Sequence, residues 1–207
     1  SPLVKTLPPS GIREFFDLIA NSTDIISLGV GEPDFSTPRN IINASIEALN
    51  KGETSYTSNK GMMELRQALA EQFSALYQLR YNPEEEILIT IGASEAVDLA
   101  LRTVICPGDE VLIVEPAYVS YEPCTILAGG KPVPIHTKPE NDFKLLPEEL
   151  EAAITPNSKL LIIAYPNNPT GAIMTKEELL PIAELVEKHN LLVLSDEIYS
   201  DLTYGLK

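Results

Sequence analysis

Four places in this 207-residue chain put chemically useful side chains directly after short apolar runs. Gly92-Ala93-Ser94-Glu95 follows the run Ile87–Ile91 and opens a helical pattern. Backbone amides at a helix start, with the helix dipole behind them, hold phosphate or carboxylate. Gly92 and Ala93 admit a ligand to the backbone, and Ser94 adds a hydroxyl; an ordinary N-cap serine would read the same way. Glu115-Pro116-Ala117-Tyr118 follows Val111–Val114. An aromatic there either lies flat against a planar ligand or packs on its own core. Tyr165-Pro166-Asn167-Asn168-Pro169-Thr170-Gly171 follows Leu160–Ala164, and two asparagines between prolines make a rigid turn that holds amides outward. Ser195-Asp196-Glu197-Ile198-Tyr199 follows Leu191–Leu194. A carboxylate ending a buried strand is costly unless a cation answers it. Tyr199, three residues on, reaches the same region. Either residue could instead cap a helix, so the site reading needs all four ends to converge.

They converge only if the runs are parallel strands. Ile87–Ile91, Val111–Val114, Lys131–Ile135, Leu160–Ala164 and Leu191–Leu194 are continuous apolar runs, as strands buried on both faces require. Helical segments near Ser94–Ile105, Tyr118–Ala128, Pro147–Ile154 and Thr175–His189 separate them. The expected fold is therefore α/β, a three-layer αβα arrangement with a mostly parallel sheet and right-handed crossovers. Ligands of such sheets bind at the carboxyl ends of strands. Upstream, residues 1–35 read as an arm: Pro8, Pro9 and Gly11 break it, Ile12–Ala20 is helical, Ile25–Leu28 is a short strand, and Gly29–Phe35 is a loop. Thr37 as N-cap and Pro38 as first residue open a helix to about Lys51. A polar loop, Tyr56–Gly61, precedes a helix over Met62–Leu79, with Leu65, Leu69, Phe73 and Leu76 at helical spacing.

Composition narrows the function. Thirty acidic residues against fifteen Lys and Arg give a net charge of -15, which disfavours nucleic acid and anionic membrane as partners. Two cysteines, Cys106 and Cys124, form no CxxC and suit a reducing cytoplasm. The amino-terminal residues carry no basic-then-apolar signal, and no apolar run is long enough to span a bilayer. Neither His136 nor His189 belongs to a metal-ligand cluster. The Gly92 loop is neither GxGxxG nor a Walker loop, so a dinucleotide or ATP domain lacks its fingerprint.

Taken together, Pro166-Asn167-Asn168-Pro169-Thr170-Gly171 and Ser195-Asp196-Glu197-Ile198-Tyr199 resemble fold-type I pyridoxal-phosphate enzymes, specifically class I/II aminotransferases similar to bacterial aspartate aminotransferases. The resemblance runs from the Gly29–Phe35 loop to Asp201. It implies that Asp196 pairs with the cofactor's pyridine nitrogen, keeping the ring a good electron sink. It further implies that Tyr199 and Asn168 bond the phenolic oxygen, Ala93 and Ser94 hold the phosphate, and Tyr118 stacks on the ring. Gly31 is expected to meet the substrate carboxylate, with Asn168 beside it. Tyr56 is expected to reach the phosphate of a second subunit, which implies a homodimer with shared sites.

By that resemblance residues 36–207 are part of a large cofactor-binding domain, with later strands and a small domain absent. The lysine that holds the cofactor lies, in the family, some tens of residues beyond Tyr199 in a Ser-Lys motif. Neither Lys60 nor Lys207 matches it, so no catalytic residue is expected in this chain and little turnover from these residues alone. The expected activity of an intact enzyme is amino transfer from an amino acid to a 2-oxo acid. Alternatives are a carbon–sulfur lyase, a cyclopropane-carboxylate synthase, or a truncated non-catalytic binding or dimerisation module. Such lyases tend to carry His where Tyr199 stands, which favours a transferase.

Overall fold

The computed structural model describes residues 2–7 and 35–204; the expected helix Ile12–Ala20 and strand Ile25–Leu28 lie outside them. Two compact units make up the chain, Pro9–Thr90, and Ile91–Lys207 together with Ser1–Pro8. The sequence places its boundary elsewhere, at 35/36. A five-residue helix, α1 (Pro2–Thr6), belongs to the larger unit.

In the smaller unit, α2 (Arg39–Asn50) begins one residue later than the Thr37–Pro38 pattern suggests. Pro38 keeps a non-helical ψ of 141° and serves as N-cap, its carbonyl accepting from Ile41 and Ile42. The second helix, α3 (Met63–Tyr77), follows the predicted spacing. Its buried Arg66 donates to the Gly61 and Pro83 carbonyls at 3.2 and 2.6 Å, tying loops on either side of the helix.

In this unit the expected first strand, Ile87–Ile91, does not form. An apolar run becomes a strand only where a neighbouring backbone completes its ladder. Here the Ile89 N–H goes instead to the Lys60 carbonyl at 3.0 Å. Gly61 makes the approach possible: a Cβ on it would stand 2.4 Å from Ile89 Cγ1.

The larger unit carries the sheet. After α4 (Ala93–Val104) come β1 (Glu110–Glu115), α5 (Tyr121–Leu127), β2 (Lys131–His136), α6 (Pro147–Ala153), β3 (Ser158–Ala164), α7 (Lys176–Lys188) and β4 (Leu192–Asp196). The strands are parallel, in the order β2-β1-β3-β4. Alternating side chains send Val111, Ile113, Leu160 and Ile162 to one face, where they pack with Val97, Leu101 and Tyr121 of α4 and α5. Leu112, Val114 and Leu161 face the other way, against Leu150 of α6 and Ile182 of α7. The result is the three-layer αβα arrangement expected. Among the described residues, no helix is long and apolar enough to cross a membrane.

Local chemistry explains several boundaries. Thr175 and Glu178 form a capping box that starts α7: the Thr175 N–H donates to Glu178 Oε2 at 2.8 Å, and the Glu178 N–H to Thr175 Oγ1 at 3.4 Å. Pro132 and Pro134 fall in β2, which among the described residues pairs only with β1, so neither missing N–H breaks a ladder. From β1 the chain crosses to β2 on one side; it then returns to place β3 on the other side of β1, and β4 beyond. The crevice between the carboxyl ends of β1 and β3 is thus the switch point at which such sheets bind ligands.

Leu161 is 0% exposed and sits between Leu112 and Val193 in register. Leu161→Ala should cost about 3 kcal/mol in denaturant unfolding. At the opposite sheet end, buried Glu110 bonds the Lys131 ammonium at 2.9 Å and the Thr155 hydroxyl. Lys131 first, then Thr155, hold its carboxyl below the ordinary 4.5. The lowered folded-state pKa means its stabilisation is complete above that ordinary value and fades as pH falls through the folded one. Glu110→Gln should therefore lower stability at neutral pH, and unfolding curves of the two proteins should approach one another below about pH 4.

Candidate active site

Because the strands are parallel, the segments following β1, β3 and β4 leave the same edge of the sheet, beside the start of α4. A cavity of about 210 Å³ opens there, lined by Ala93, Ser94, Tyr118, Tyr121, Ala164, Asn168, Asp196, Ile198 and Tyr199. Six residues singled out in the sequence on four separate segments thus share one cavity: Ala93, Ser94, Tyr118, Asn168, Asp196 and Tyr199.

One end of the cavity is built for an anion. Gly92 precedes α4 with φ 81° and ψ 165°, a conformation that L side chains rarely adopt. That turn presents the first amides of the helix, and the first bond back along it is Ala96 N–H to Gly92 C=O at 3.4 Å. The Ser94 hydroxyl lies 3.3 Å from the Tyr118 hydroxyl. Hydrogen bonding by Ser120, then by Ser94, lowers the Tyr118 phenol from its ordinary 10.0.

The other end carries a negative charge. Asp196 closes β4, in register with Ala164 of β3. One carboxylate oxygen, Oδ2, accepts the Tyr121 hydroxyl at 2.7 Å; the other, Oδ1, accepts the Ile198 N–H at 3.2 Å. That second bond turns the chain so that Tyr199 faces the same cavity. Tyr121 packs edge-to-face on Tyr118, with ring centroids 5.7 Å apart and planes at 79°. Burial first, and then the Asp196 carboxylate, push the Tyr121 phenol up, so it stays a donor.

The paired asparagines divide the work. Asn167 is buried and structural: its Nδ2 donates to the Pro116 carbonyl at 3.2 Å, and its Oδ1 accepts the Thr170 N–H and hydroxyl at 3.1 and 2.8 Å. It joins the loop bearing Tyr118 to the turn bearing Asn168. Asn168 is thereby left to line the cavity.

This donor set suits a flat ligand carrying an anionic tail and a cationic ring edge. Among the described residues, no lysine lines the cavity, and no cluster of three His, Cys, Asp or Glu could hold a metal.

Residues 23–207 match the family described as aminotransferase class I and II. The chain belongs to that family. Among curated relatives, an aromatic-amino-acid aminotransferase of Thermococcus litoralis is 46% identical over 208 residues, covering 100% of this chain and 54% of its own. An aspartate aminotransferase of Pyrococcus abyssi is 45% identical over 196 residues, covering 95% of this chain and 50% of its own. A solved aspartate aminotransferase from Thermus thermophilus with maleate superposes with a TM-score of 0.93 at 39% identity, covering 100% of this chain and 55% of that one. The chain thus spans about half the length of the relatives it matches, and it has the fold of aspartate aminotransferase-like enzymes.

Two further residues are expected at the site. Tyr56 belongs to the Pro9–Thr90 unit, where it is fully exposed. Gly31 lies outside the described residues. Sequence reasoning assigned no role to Tyr121, although it stands three residues after Tyr118 at the start of α5. That spacing, on the side of the helix that meets the sheet, was the available signal.

An ultraviolet phenolate titration should find Tyr118 ionising at lower pH than Tyr121. The Tyr118→Phe protein should lose the earlier of these two transitions. Loss of the later transition in that variant would contradict the assignment.

Proposed function

We propose that the cavity holds pyridoxal 5'-phosphate, and that the intact protein transfers an amino group from an amino acid to a 2-oxo acid. The observation that carries this reading is the cavity's polarity: helix amides at one end, a doubly bonded carboxylate at the other. A dinucleotide site would carry a GxGxxG loop ahead of its amides, which Gly92-Ala93-Ser94-Glu95 is not, and a metal would want more than one acid. Pyridoxal phosphate has the matching pair, a dianionic tail and a ring nitrogen that takes a proton.

In this reading the amides and hydroxyl of Ala93 and Ser94 would hold the phosphate at the positive end of α4. Tyr118 would cover one ring face. Asn168 and Tyr199 would bond the phenolic oxygen, and Asp196 would keep the ring nitrogen protonated by placing an anion beside it. When bound, the cofactor supplies an electron sink that makes an amino acid's alpha proton removable. Asp196 raises that capacity, and the asparagine and tyrosine tune the ring's oxygen. We assign residues 36–207 to the large cofactor-holding domain and 1–35 to an arm, Gly31 to the substrate carboxylate together with Asn168, and Tyr56 to the phosphate of a second subunit in a homodimer. Two unpaired cysteines, Cys106 and Cys124, favour a cytoplasmic setting.

The two curated relatives and the solved structure are all named as aminotransferases, which favours transfer over a lyase or a binding-only module. Their names differ in substrate, aromatic amino acids for one and aspartate for two, so the substrate class here is amino acid and 2-oxo acid. The intact protein, incubated with the cofactor, an amino acid and a 2-oxo acid, should yield the exchanged pair. Asp196→Ala should weaken cofactor binding at least tenfold and slow transfer by roughly two orders of magnitude. Transfer undiminished in that variant would refute the assignment.

A further inference from the structure

We propose that Tyr121 is a positioning residue that holds the Asp196 carboxylate in the orientation its ring-nitrogen partner needs. The inference rests on the cofactor reading above and adds a residue that the reading does not use.

Tyr121 is 3% exposed, and its ring is packed in the core cluster with Val97, Leu101, Ile113 and Ile162. That packing leaves the ring one position. Its backbone is fixed as well: the N–H donates to the Tyr118 carbonyl at 3.2 Å, and the carbonyl accepts the Thr125 hydroxyl at 2.9 Å. The hydroxyl therefore arrives at Asp196 from a rigid direction, across 75 residues of sequence, at 2.7 Å.

Asp196 needs such a brace. It is the last residue of β4, and the residues on either side of it, Ser195 and Glu197, are exposed. The Ile198 N–H holds one of its oxygens at 3.2 Å, but that donor belongs to the same turn and moves with it. Tyr121 ties the other oxygen to the core. With both oxygens bonded, the carboxylate plane is set, and its remaining acceptor directions are limited.

The brace acts as a donor. The titratable groups facing Tyr121 are Asp196 and Tyr199 from the end of β4 and Tyr118 from the loop before α5. Burial and the Asp196 charge both keep the proton on Tyr121. Asp196 thus receives a hydrogen bond from a phenol that holds its proton.

A bond that only satisfied a buried phenol would affect stability and nothing else. The two roles separate with a pair of ligands in the intact protein: pyridoxal phosphate, and its 1-deaza analogue, in which carbon replaces the ring nitrogen. Tyr121→Phe removes one oxygen and leaves the packed ring, and circular dichroism checks that the fold persists. If Tyr121 acts through Asp196 on the ring nitrogen, the variant should bind pyridoxal phosphate about tenfold more weakly, the value of one charge-assisted hydrogen bond. Its affinity for the deaza analogue should change less than twofold. Equal losses for both ligands, or no loss for either, would overturn the inference. A wild-type protein that binds both ligands equally would remove the Asp196 reading itself, and this inference with it. Asp196→Ala distinguishes the two failures: a selective loss of pyridoxal phosphate in that variant, with none in Tyr121→Phe, leaves the function standing and ends the role of Tyr121.

Discussion

A carboxylate at the end of β4 is the constraint around which this unit is organised. Asp196 continues an apolar run and is itself half-buried, so its charge sits at the margin of the packed sheet. Such a charge is tolerated when hydrogen bonds and a cation answer it. The protein supplies two hydrogen bonds, from Tyr121 and Ile198, and leaves a cavity beside them. Across that cavity the amides of α4 provide a region of opposite sign. Parallel topology produces this pairing without special contrivance, because it places strand carboxyl ends and the amino ends of the following helices along one edge.

Positioning at this edge depends on residues that need never touch a ligand. Asn167 holds the loops after β1 and β3 together, and Gly92 permits the turn that aims the amides of α4. Tyr121 carries the rigidity of the core to the end of β4. A cavity whose walls are fixed in this way loses little conformational freedom when it is filled, and that saving appears as affinity. The smaller unit uses another device, an arginine buried among backbone carbonyls, to hold its loops.

Much of this was legible in the residues. Apolar runs marked β1 to β4, although only β1 and β3 are well covered and β2 and β4 leave side chains exposed. The helical segment Thr175–His189 marked α7, whose start the structure fixes with a Thr175–Glu178 capping box. The segments after three strands and before α4 were found as site candidates because their polar residues interrupt apolar patterns abruptly. What escaped notice follows the same logic in reverse. Tyr121 could be noticed by its spacing from Tyr118, but its hydroxyl's partner, 75 positions away, leaves no local trace. Ile87–Ile91 reads as a strand by every local measure, and its failure to form one depends on where the Lys60 carbonyl lies. The division of Asn167 from Asn168 is likewise tertiary: identical neighbours in one turn differ only in which way each amide is sent.

The two prolines of β2 have a consequence for how this sheet relates to other polypeptide. Pro132 and Pro134 withhold hydrogens along the outer margin of that strand, so an incoming backbone would find acceptors there but few donors. The sheet is therefore directional in its capacity for growth. Lateral extension is refused on one flank and remains possible on the flank of Leu192–Asp196, whether the added strand comes from the same polypeptide or a foreign one.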